Sequence, residues 1–307
     1  MAEIIGVDVG YGNCKTVSDI YITSLRDYGE TKPPLVNDSL YYNGKYYIVG
    51  GDRASVKLNR TDDDVAYILT LAGIAKELNH RNLPHDSHIV LAVGLPIDRC
   101  NGESKIELAN YYKRYKNVSF SYEDEEYNIT IDDVFVMAQG YAGVFDLISG
   151  KSMPDTCIVV DIGSWTIDIL PIVGGKPQAA KAISLNDGII NCLLKCNEEI
   201  RRRTGEEVLE SQIQSIMLGD KTILPAQYSN IIQEQIVSYI KHVADVLIEH
   251  KFNINTLPCV FIGGGSSVVK CYGESLFPIA KYRTDIHANA VGYETIAKQL
   301  IKMMSVQ

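Results

Sequence analysis

The sequence predicts an α/β fold made of two similar lobes, in which mixed β-sheets are flanked by helices. The chain has 307 residues, which is long enough for two domains. Strand patterns alternate with long helical patterns along the sequence. In addition, "VDVGYGNCKTV" and "VDIGSWTIDIL" share the pattern Val-Asp-aliphatic-Gly, and Asp8 and Asp161 lie about half a chain apart. This repeat predicts two hairpins that face a shared cleft, and chance similarity of two buried hairpins is the alternative.

The first half of the sequence begins with strand patterns. Residues 3–9, 15–20 and 21–26 predict a three-stranded meander, and "SLYYNGKYYIVG" is typical of a hairpin that turns at Asn43-Gly44. A helix is predicted to start at Thr61, because a capping residue followed by three acids favours a helix N-terminus. The segment "HIVLAVGLP" predicts a buried strand and residues 104–115 a helix. The segment "NVSFSYEDEEYNITIDDVFVMAQG" predicts more strands, followed by a helix from about Ala138.

The second half contains longer helical patterns. The segment "TCIVVDIGSWTIDILPIVGGKPQAAKAISL" predicts three strands, of which the second and third are joined at Gly174-Gly175. Helical patterns cover residues 187–203, 206–218 and 229–250. The segment "PCVFIGGGSS" predicts a strand that ends in a glycine loop, and "ANAVGYETIAKQLIKMM" predicts a terminal helix.

The composition is that of an ordinary soluble protein, with 46% hydrophobic and 22% charged residues. No basic segment leads into an apolar run at the start, and no apolar run approaches the ~20 residues that span a bilayer. Seven cysteines scattered through apolar segments favour reduced thiols in a cytosol. A net charge of −9 argues against direct binding of nucleic acid. We therefore expect a cytoplasmic protein that binds neither a membrane nor a nucleic acid directly.

Three glycine loops form the candidate binding site. The first, after Asp8, fits neither the Walker loop nor the dinucleotide fingerprint, because its glycines are too close together and Lys15 stands where a third glycine belongs. Its glycines still let main-chain N–H groups approach phosphate oxygens, and Lys15 can neutralise them. Asp8 and Asp161, each at a strand end, can orient the waters of Mg²⁺. The third loop, Gly263-Gly264-Gly265-Ser266, can pass under the α-phosphate and the sugar.

These segments resemble the motifs of the actin superfamily. Asp8-Val-Gly10-Tyr-Gly12-Asn-Cys14-Lys15 resembles its first phosphate loop, and Asp161-Ile-Gly163-Ser164-Trp-Thr166-Ile-Asp168 resembles its second. Phe261-Ile-Gly263-Gly264-Gly265-Ser266 resembles its adenosine motif, and "VMAQGYAGVF" and "ANAVGYETIA" resemble its two connecting helices. All five segments occur in the order of the family. The resemblance implies an actin-like (ribonuclease H-like) two-lobed ATPase with mixed sheets flanked by helices around a nucleotide cleft.

The resemblance also implies lobe boundaries and residue roles. Lobe I spans residues 1–148, with a small inserted subdomain at about 30–85 and with the C-terminal helix, 289–307, packed back on it; lobe II spans 149–288. Gln139 places the attacking water and Asp161 orders the waters of the metal, so both are expected to be catalytic. Asp8 and Asp161 hold Mg²⁺ through water. The residues implied to bind ATP, or GTP, are Asp8, Gly10, Tyr11, Gly12, Asn13, Lys15, Gly163, Ser164, Thr166, Asp187, Gly188, Gly263, Gly264, Gly265 and Ser266.

Within the superfamily, the spacing is most similar to the bacterial ParM/StbA plasmid-segregation proteins. The second loop, the helical stretch "DGIINCLLKCNEEIRRRTGEEV" and the following Ile-Gly-Gly-Gly carry this similarity. Gln139 stands where ParM proteins usually carry glutamate and actin carries glutamine, and Trp165 replaces a small residue. The resemblance implies that ATP drives head-to-tail assembly into a filament, that hydrolysis loosens it, and that a DNA-binding adaptor of the ParR kind links it to plasmid DNA.

Other members of the superfamily supply the alternative functions. A small-molecule kinase would share the phosphate loops but needs an acceptor pocket and a base aspartate, and the sequence shows no added catalytic segment before the adenosine motif. A chaperone-type ATPase would need a peptide-binding domain. A membrane-bound homologue such as MreB or FtsA would need an amphipathic anchor.

Several residues also have a purely structural interpretation. Asp168 is either close to the phosphates or a solvated or ion-paired strand residue. Gln139 either places a water or merely caps the helix or bonds the neighbouring loop. Cys192 and Cys196, four residues apart, favour buried helix packing over a metal site. The run Arg201-Arg202-Arg203 favours a charge cluster at a helix end over a nucleic-acid patch, because glutamates surround it.

Overall fold

A computed structural model describes residues 2–34, 37–51 and 64–305 of the chain. The chain divides into two units. Unit 1 comprises Met1–Asp146 and His287–Gln307, and unit 2 comprises Leu147–Ile286. Each unit has its own large hydrophobic core of buried side chains.

The described residues form strands and helices that alternate in both units. The strands are β1 (Glu3–Val9), β2 (Asn13–Lys15), β3 (Ile20–Ile22), β4 (Leu25–Gly29), β5 (Ser39–Tyr42), β6 (Lys45–Val49), β7 (His88–Leu95), β8 (Asn117–Tyr122), β9 (Glu125–Ala138), β10 (Cys157–Ile162), β11 (Ile167–Val173), β12 (Lys176–Pro177), β13 (Ile183–Leu185), β14 (Cys259–Ile262) and β15 (Ala280–Tyr282). The helices are α1 (Val65–His80), α2 (Gly102–Lys113), α3 (Phe145–Ser149), α4 (Ile189–Thr204), α5 (Glu210–Met217), α6 (Ala226–Glu249), α7 (Ser266–Tyr272) and α8 (Ala288–Met304).

Unit 1 is organised around one mixed sheet with the strand order β3-β2-β1-β7-β9-β8-β5-β6-β4. The strands β1, β7 and β9 are parallel; β1 and β7 are mostly buried, as is usual for parallel strands covered by helices, whereas β9 alternates between buried and more exposed residues. Helix α1 packs in the core, where the Tyr21 hydroxyl of β3 donates to the Leu69 carbonyl at 2.6 Å. Helix α8 covers β7 and the end of β9 with Tyr293 and Ala297.

Unit 2 is organised around a sheet with the strand order β12-β11-β10-β14-β15, and β13 also pairs with β11. The strands β10, β14 and β15 are parallel, whereas β11 runs antiparallel to β10. Helices α4 and α6 pack together in the core of this unit, where Cys192, Cys196 and Ile232 are buried.

The two sheets repeat the same topology. In each unit a first strand forms a hairpin with a second, a short third strand pairs antiparallel with the second, and two further strands extend the sheet in parallel on the other side of the first. The order β3-β2-β1-β7-β9 therefore corresponds to β13-β11-β10-β14-β15. The repeat that the sequence predicts from Asp8 and Asp161 thus extends to the topology of both sheets.

Two predicted hairpin turns are confirmed. Asn43 and Gly44 both have positive φ angles, of 50° and 81°, and join β5 to β6 with the pair Tyr42↔Lys45 flanking the turn. Gly174 and Gly175 likewise have φ angles of 56° and 74° between β11 and β12.

Other predicted elements differ from the structure. The predicted meander is present as β1, β2 and β3, but its bounds differ: predicted strand 21–26 is divided between β3, which pairs with β2, and the start of β4, which pairs with β6. The predicted start of a helix at Thr61 lies outside the described residues, and α1 begins at Val65. Helix α7, which follows the third glycine loop, has no counterpart among the sequence-based predictions.

The helix predicted from about Ala138 is also wrong. Strand β9 pairs with β7 from Thr130 up to the pair Leu95↔Ala138. A turn at Gln139 and Gly140 follows, and the chain then forms a 3₁₀ turn before α3. Pairing with β7 therefore extends a strand over residues whose local sequence suits a helix start.

The cysteine and arginine interpretations agree with the structure. Cys192 and Cys196 are completely buried, and a hydrogen bond from the Cys196 thiol to Cys192, together with burial, raises the pKa of Cys196 far above its ordinary value. Arg201, Arg202 and Arg203 end α4 and pair with glutamates of the same region, Glu207 and Glu199 among them. Among the described residues, no helix combines the length and the apolar character that crossing a membrane requires.

Candidate functional site

The first glycine loop is a hairpin turn between β1 and β2. The pairs Asp8↔Lys15 and Val9↔Cys14 flank it, and the Gly10 N–H donates to the Asn13 carbonyl at 3.2 Å. Directly opposite residues of an antiparallel pair lie on the same face of the sheet, so Asp8 and Lys15 are neighbours. The hairpin thus presents a buried carboxylate beside a half-buried ammonium group.

Thr23, which lies between β3 and β4 and which the sequence analysis did not single out, stabilises this turn by hydrogen bonds. The Thr23 hydroxyl donates to the Gly10 carbonyl at 2.6 Å, and the Thr23 N–H donates to the Gly12 carbonyl at 3.1 Å. Both bonds fix carbonyls of the turn, and Thr23 is itself buried. No sequence motif indicates this contact, because Thr23 reaches the turn only through the pairing of β3 with β2.

The second glycine loop has the same geometry between β10 and β11. The pairs Asp161↔Asp168 and Ile162↔Ile167 flank it, and the Gly163 N–H donates to the Thr166 carbonyl at 2.9 Å. Asp161 therefore occupies the position of Asp8 in the first hairpin. The two loops are repeats in register as well as in sequence.

One position distinguishes the two hairpins. Opposite the strand-end aspartate, the first hairpin carries Lys15 and the second carries Asp168. The Thr166 hydroxyl donates to Asp168 Oδ2 at 3.0 Å. Two carboxylates directly opposite each other repel unless a cation or donors offset their charge, so the second hairpin favours a cation near Asp161.

The start of α4 packs directly on the second loop. The N–H groups of Gly188, Ile189 and Ile190 donate to the carbonyls of Trp165, Gly163 and Ser164 at 2.9, 3.0 and 3.0 Å, respectively. A Cβ at Gly188 would lie 2.5 Å from the Ser164 oxygen. The first amides of this helix therefore hold the loop in place, and Gly188 acts through close packing.

Asp187, the residue before Gly188, joins α4 to α6. Its Oδ2 lies 2.6 Å from His242 Nε2, its Oδ1 accepts from Asn191 Nδ2 at 3.1 Å, and its carbonyl accepts from the Tyr239 hydroxyl at 2.9 Å. These contacts give Asp187 a role in fixing the start of α4.

The third glycine loop lies against Asp161. Gly263 has a φ angle of +78°, and a Cβ at this position would overlap Asp161 Oδ1. The Gly265 N–H donates to the Ile162 carbonyl at 2.9 Å. Unit 2 therefore brings the second and third loops together at the ends of β10 and β14.

Ser266 lies inside the third loop. It is completely buried, and its hydroxyl lies 2.7 Å from the Gly263 carbonyl and 3.0 Å from the Arg283 carbonyl. The hydroxyl thus bonds main-chain atoms of its own unit, which gives Ser266 a structural role in shaping the loop.

Gln139 follows the end of β9 in unit 1. Its N–H donates to the Leu95 carbonyl at 2.8 Å, and its side-chain Nε2 donates to Asp8 Oδ1 at 2.8 Å. The Tyr293 hydroxyl of α8 donates to the same oxygen at 3.3 Å. Gln139 is therefore attached to the first hairpin through Asp8, and it does not cap a helix.

The acidic groups at these loops suit a hydrated Mg²⁺ ion. Within the part of the chain that the structure describes, no cluster of three or more histidine, cysteine, aspartate or glutamate side chains could hold a metal ion by itself. Mg²⁺ commonly keeps several waters and takes one or two carboxylates together with phosphate oxygens. Each hairpin offers a carboxylate that suits this mode of binding at the end of its first strand, Asp8 opposite Lys15 and Asp161 opposite Asp168.

Comparisons with known proteins agree with this fold. Residues 6–141 match the family model "Actin like proteins N terminal domain", and residues 159–271 match "Archaeal actin homologue MreB-like, C-terminal". A search of curated proteins finds no match.

Solved structures of actin homologues cover nearly the whole chain. The archaeal actin homolog Ta0583 in complex with ADP has a TM-score of 0.75 and 20% identity, over 97% of this chain and 100% of its own. The Alp12 filament structure has a TM-score of 0.69 and 15% identity, over 97% and 98%. Bacillus thuringiensis ParM with ATP has a TM-score of 0.71 and 14% identity, over 97% and 98%.

The expectation of an actin-like fold is therefore confirmed. The two family matches cover most of both units, and the solved structures share their topology. The chain belongs to the actin superfamily, and ParM proteins are among its structural neighbours.

Proposed function

We propose that this chain is an ATPase that assembles with copies of itself into filaments and disassembles after hydrolysis. The observation that carries this proposal is the pair of equivalent hairpins, each closed by the same main-chain bond and each presenting an aspartate at the end of its first strand. Such a pair of glycine turns supplies main-chain N–H groups for phosphate oxygens. The archaeal actin homolog Ta0583 has been solved in complex with ADP, and Bacillus thuringiensis ParM with ATP.

Binding of the nucleotide is assigned to the three loops. The turns at Gly10–Asn13 and Gly163–Thr166 would hold phosphate oxygens through main-chain amides, with Lys15 adding a positive charge. The loop Gly263–Gly265 would hold the adenosine side. Two turns with main-chain amides and the charge of Lys15 favour a nucleoside triphosphate as the ligand. GTP is the alternative to ATP.

Asp8 and Asp161 would hold Mg²⁺ through its waters. A bound ion of this kind would neutralise charge on the phosphates as the bond to the leaving group breaks. Asp161 would orient waters at the second loop, where the opposite Asp168 adds negative charge.

Gln139 would place the attacking water. Its Nε2 donates to Asp8, so the amide is anchored on one side and its Oε1 is the atom that can accept a hydrogen bond from water. A neutral amide cannot take the proton as a full base. Hydrolysis should therefore be slow and should depend on positioning.

The filament would serve plasmid segregation through a DNA-binding adaptor of the ParR kind, in the cytoplasm. The net charge of −9 supports an indirect link to DNA, because a direct one needs a cationic surface. The likeness to the Alp12 filament structure and to ParM proteins supports head-to-tail association of this chain with itself.

Sedimentation with ATP, with ADP and without nucleotide, alongside phosphate release, tests this function. We expect the protein to pellet with ATP, to release phosphate slowly and to remain soluble with ADP; GTP in parallel shows the nucleotide preference. The variant Gln139→Ala should still bind ATP and pellet, and its filaments should persist longer. A chain that neither pellets nor releases phosphate with ATP or GTP would refute the proposal.

A further inference from the structure

Helix α8 contacts the Gln139 turn and the first hairpin at separate points. The Tyr293 hydroxyl donates to Asp8 Oδ1 at 3.3 Å, and Asn289 Oδ1 accepts from the Gly140 N–H at 3.0 Å. Gln139 lies between these contacts, because it precedes Gly140 and donates to the same oxygen of Asp8 at 2.8 Å. The C-terminal helix thus supports both the main chain beside Gln139 and the carboxylate that anchors its side chain.

The hydroxyl of Tyr293 has a specific place in the core. Tyr293 is completely buried beside Ala92, Met137 and Ala297, where a phenylalanine ring would serve the packing equally well. A Cβ at Gly94 of β7 would overlap the Tyr293 hydroxyl, so a glycine makes the room that this oxygen occupies. A buried hydroxyl is costly unless it is hydrogen-bonded, and a carboxylate is a strong acceptor for it.

Two donors from different elements therefore fix one oxygen of Asp8. With both in place, the carboxylate has one orientation, and Gln139 must turn its Nε2 toward Asp8 and its Oε1 away from it. Without the Tyr293 hydroxyl, the carboxylate would keep the hydrogen bond from Gln139 but lose the second donor that restricts its rotation. The amide of Gln139, which is anchored on this carboxylate, would then be held less firmly in its direction.

We propose that Tyr293 is a positioning residue for ATP hydrolysis, acting on the attacking water through Asp8 and Gln139. This inference rests on the proposed function, in which Gln139 places that water. Partner residues of this kind matter because a misplacement of about 1 Å can cost roughly 100-fold in rate. Removal of one of two donors to Asp8 should cost less, about tenfold.

The variant Tyr293→Phe tests this inference in full-length protein. We expect kcat for phosphate release to fall about tenfold, while KM for ATP and ATP-dependent pelleting stay within about twofold of wild type. The matched control is Tyr127→Phe, which removes another fully buried hydroxyl of unit 1, one that donates to Asn79 away from the loops. This control should hydrolyse ATP at the wild-type rate.

The double variant Tyr293→Phe/Gln139→Ala separates positioning from a general structural effect. If Tyr293 acts through Gln139, the double variant should be no slower than Gln139→Ala alone. Additive losses, or a Tyr293→Phe variant whose ATP affinity falls as much as its rate, would show that Tyr293 is structural.

The outcomes also separate this inference from the proposed function. If wild type hydrolyses ATP and Gln139→Ala slows it, but Tyr293→Phe keeps the wild-type rate, the positioning role alone is wrong. If wild type does not hydrolyse ATP, or if Gln139→Ala keeps the wild-type rate, the function assigned to Gln139 is wrong and the role of Tyr293 with it.

Discussion

Asp8 and Asp161 occupy the same position of two equivalent hairpins but have different surroundings. Asp8 lies opposite Lys15 and accepts hydrogen bonds from Gln139 and Tyr293 on one oxygen. Asp161 lies opposite a second acid, Asp168, and against the third glycine loop. The two hairpins thus provide equivalent carboxylates with different contacts. Asp8 anchors Gln139, the side chain that would place the water, whereas Asp161 lies beside Asp168 and the third glycine loop.

The variant Asp161→Asn should lower phosphate release by about 100-fold, because it removes the charge that we propose orders the waters of Mg²⁺ while keeping the size of the side chain. Phosphate release at saturating ATP with Mg²⁺ measures the effect. The control Asp220→Asn makes the same charge change at an exposed position of unit 2. Normal release by Asp161→Asn would show that the metal is held elsewhere.

At the level of elements, the second loop depends on its contact with α4. Three main-chain bonds and the absence of a side chain at Gly188 let the helix start directly on the loop. The first N–H groups at the N-terminus of α4 therefore donate to carbonyls of the second loop. The phosphates would be bound by the turn itself and not by the helix.

The variant Gly188→Ala should destabilise the protein by about 1–3 kcal/mol, because the added methyl group overlaps Ser164 and Trp165. It should also weaken ATP binding by moving the loop. Thermal unfolding and nucleotide titration measure the two effects. The variant Gly102→Ala, at the first residue of α2, is the control, since a Cβ there meets open space. Equal stability of the two variants would contradict the packing argument.

A buried ion network attaches α8 to unit 1. Glu77 of α1 is completely buried and accepts from the Ser18 N–H at 2.7 Å, and Arg81 Nη2 lies 2.6 Å from Glu77 Oε2 and 2.5 Å from Glu294 Oε1. Glu294 also accepts from the Gly6 N–H at 3.1 Å. The helix that carries Tyr293 is therefore fixed to β1 and α1 by charge as well as by packing.

This network should make stability depend on acid pH. Burial alone would raise the pKa of Glu77, but hydrogen bonds from Thr16 and Ser18 and the charge of Arg81 outweigh it and hold the pKa below its ordinary value. A lowered pKa stabilises the folded state above the unfolded-state pKa of about 4.3, and this contribution is lost as pH falls through the folded-state pKa.

The variant Glu77→Gln should therefore be about 2 kcal/mol less stable than wild type at pH 7, because it loses a charge-assisted hydrogen bond. The difference should shrink as pH falls below the unfolded-state pKa of about 4.3 and should be lost once Glu77 of the folded wild type takes up a proton. Thermal or urea unfolding between neutral and acid pH measures it. A difference that stays constant over this range would show that the charge of Glu77 is irrelevant.

The sequence predicted the elements that depend on residues close together in the chain. Strand-turn-strand patterns with glycine at the turn identified both hairpins, and apolar periodicity identified α4 and α6. It did not predict contacts between segments that are far apart in the chain. Strand β9 continues to Ala138 only because β7 pairs with it, and Gln139 meets Asp8 from 131 positions along the chain. Tyr293 lay inside a recognised segment, but nothing local connects its hydroxyl to Asp8.

On the scale of the whole molecule, two sheets of equal topology each supply one acid-bearing hairpin. The repeated arrangement matches the recurrence of the motif at half the chain length. Beyond the five corresponding strands, unit 1 has β4, β5, β6 and β8 at the far end of its sheet, and unit 2 has the long helices α4 and α6. The C-terminal helix α8 belongs to unit 1, so this unit contains both ends of the chain.

The net charge of the chain predicts how self-assembly should depend on salt. Each subunit carries a net charge of −9, so subunits that add to a filament repel one another over a distance set by salt. The Debye length falls from about 30 Å at 0.01 M to about 8 Å at 0.15 M ionic strength. We therefore expect the critical concentration for assembly to fall as salt rises over this range. Sedimentation with a slowly hydrolysed ATP analogue measures this without interference from hydrolysis. A critical concentration that rises with salt would instead show that complementary ion pairs at the subunit contacts outweigh the net repulsion, since screening would then remove more attraction than repulsion.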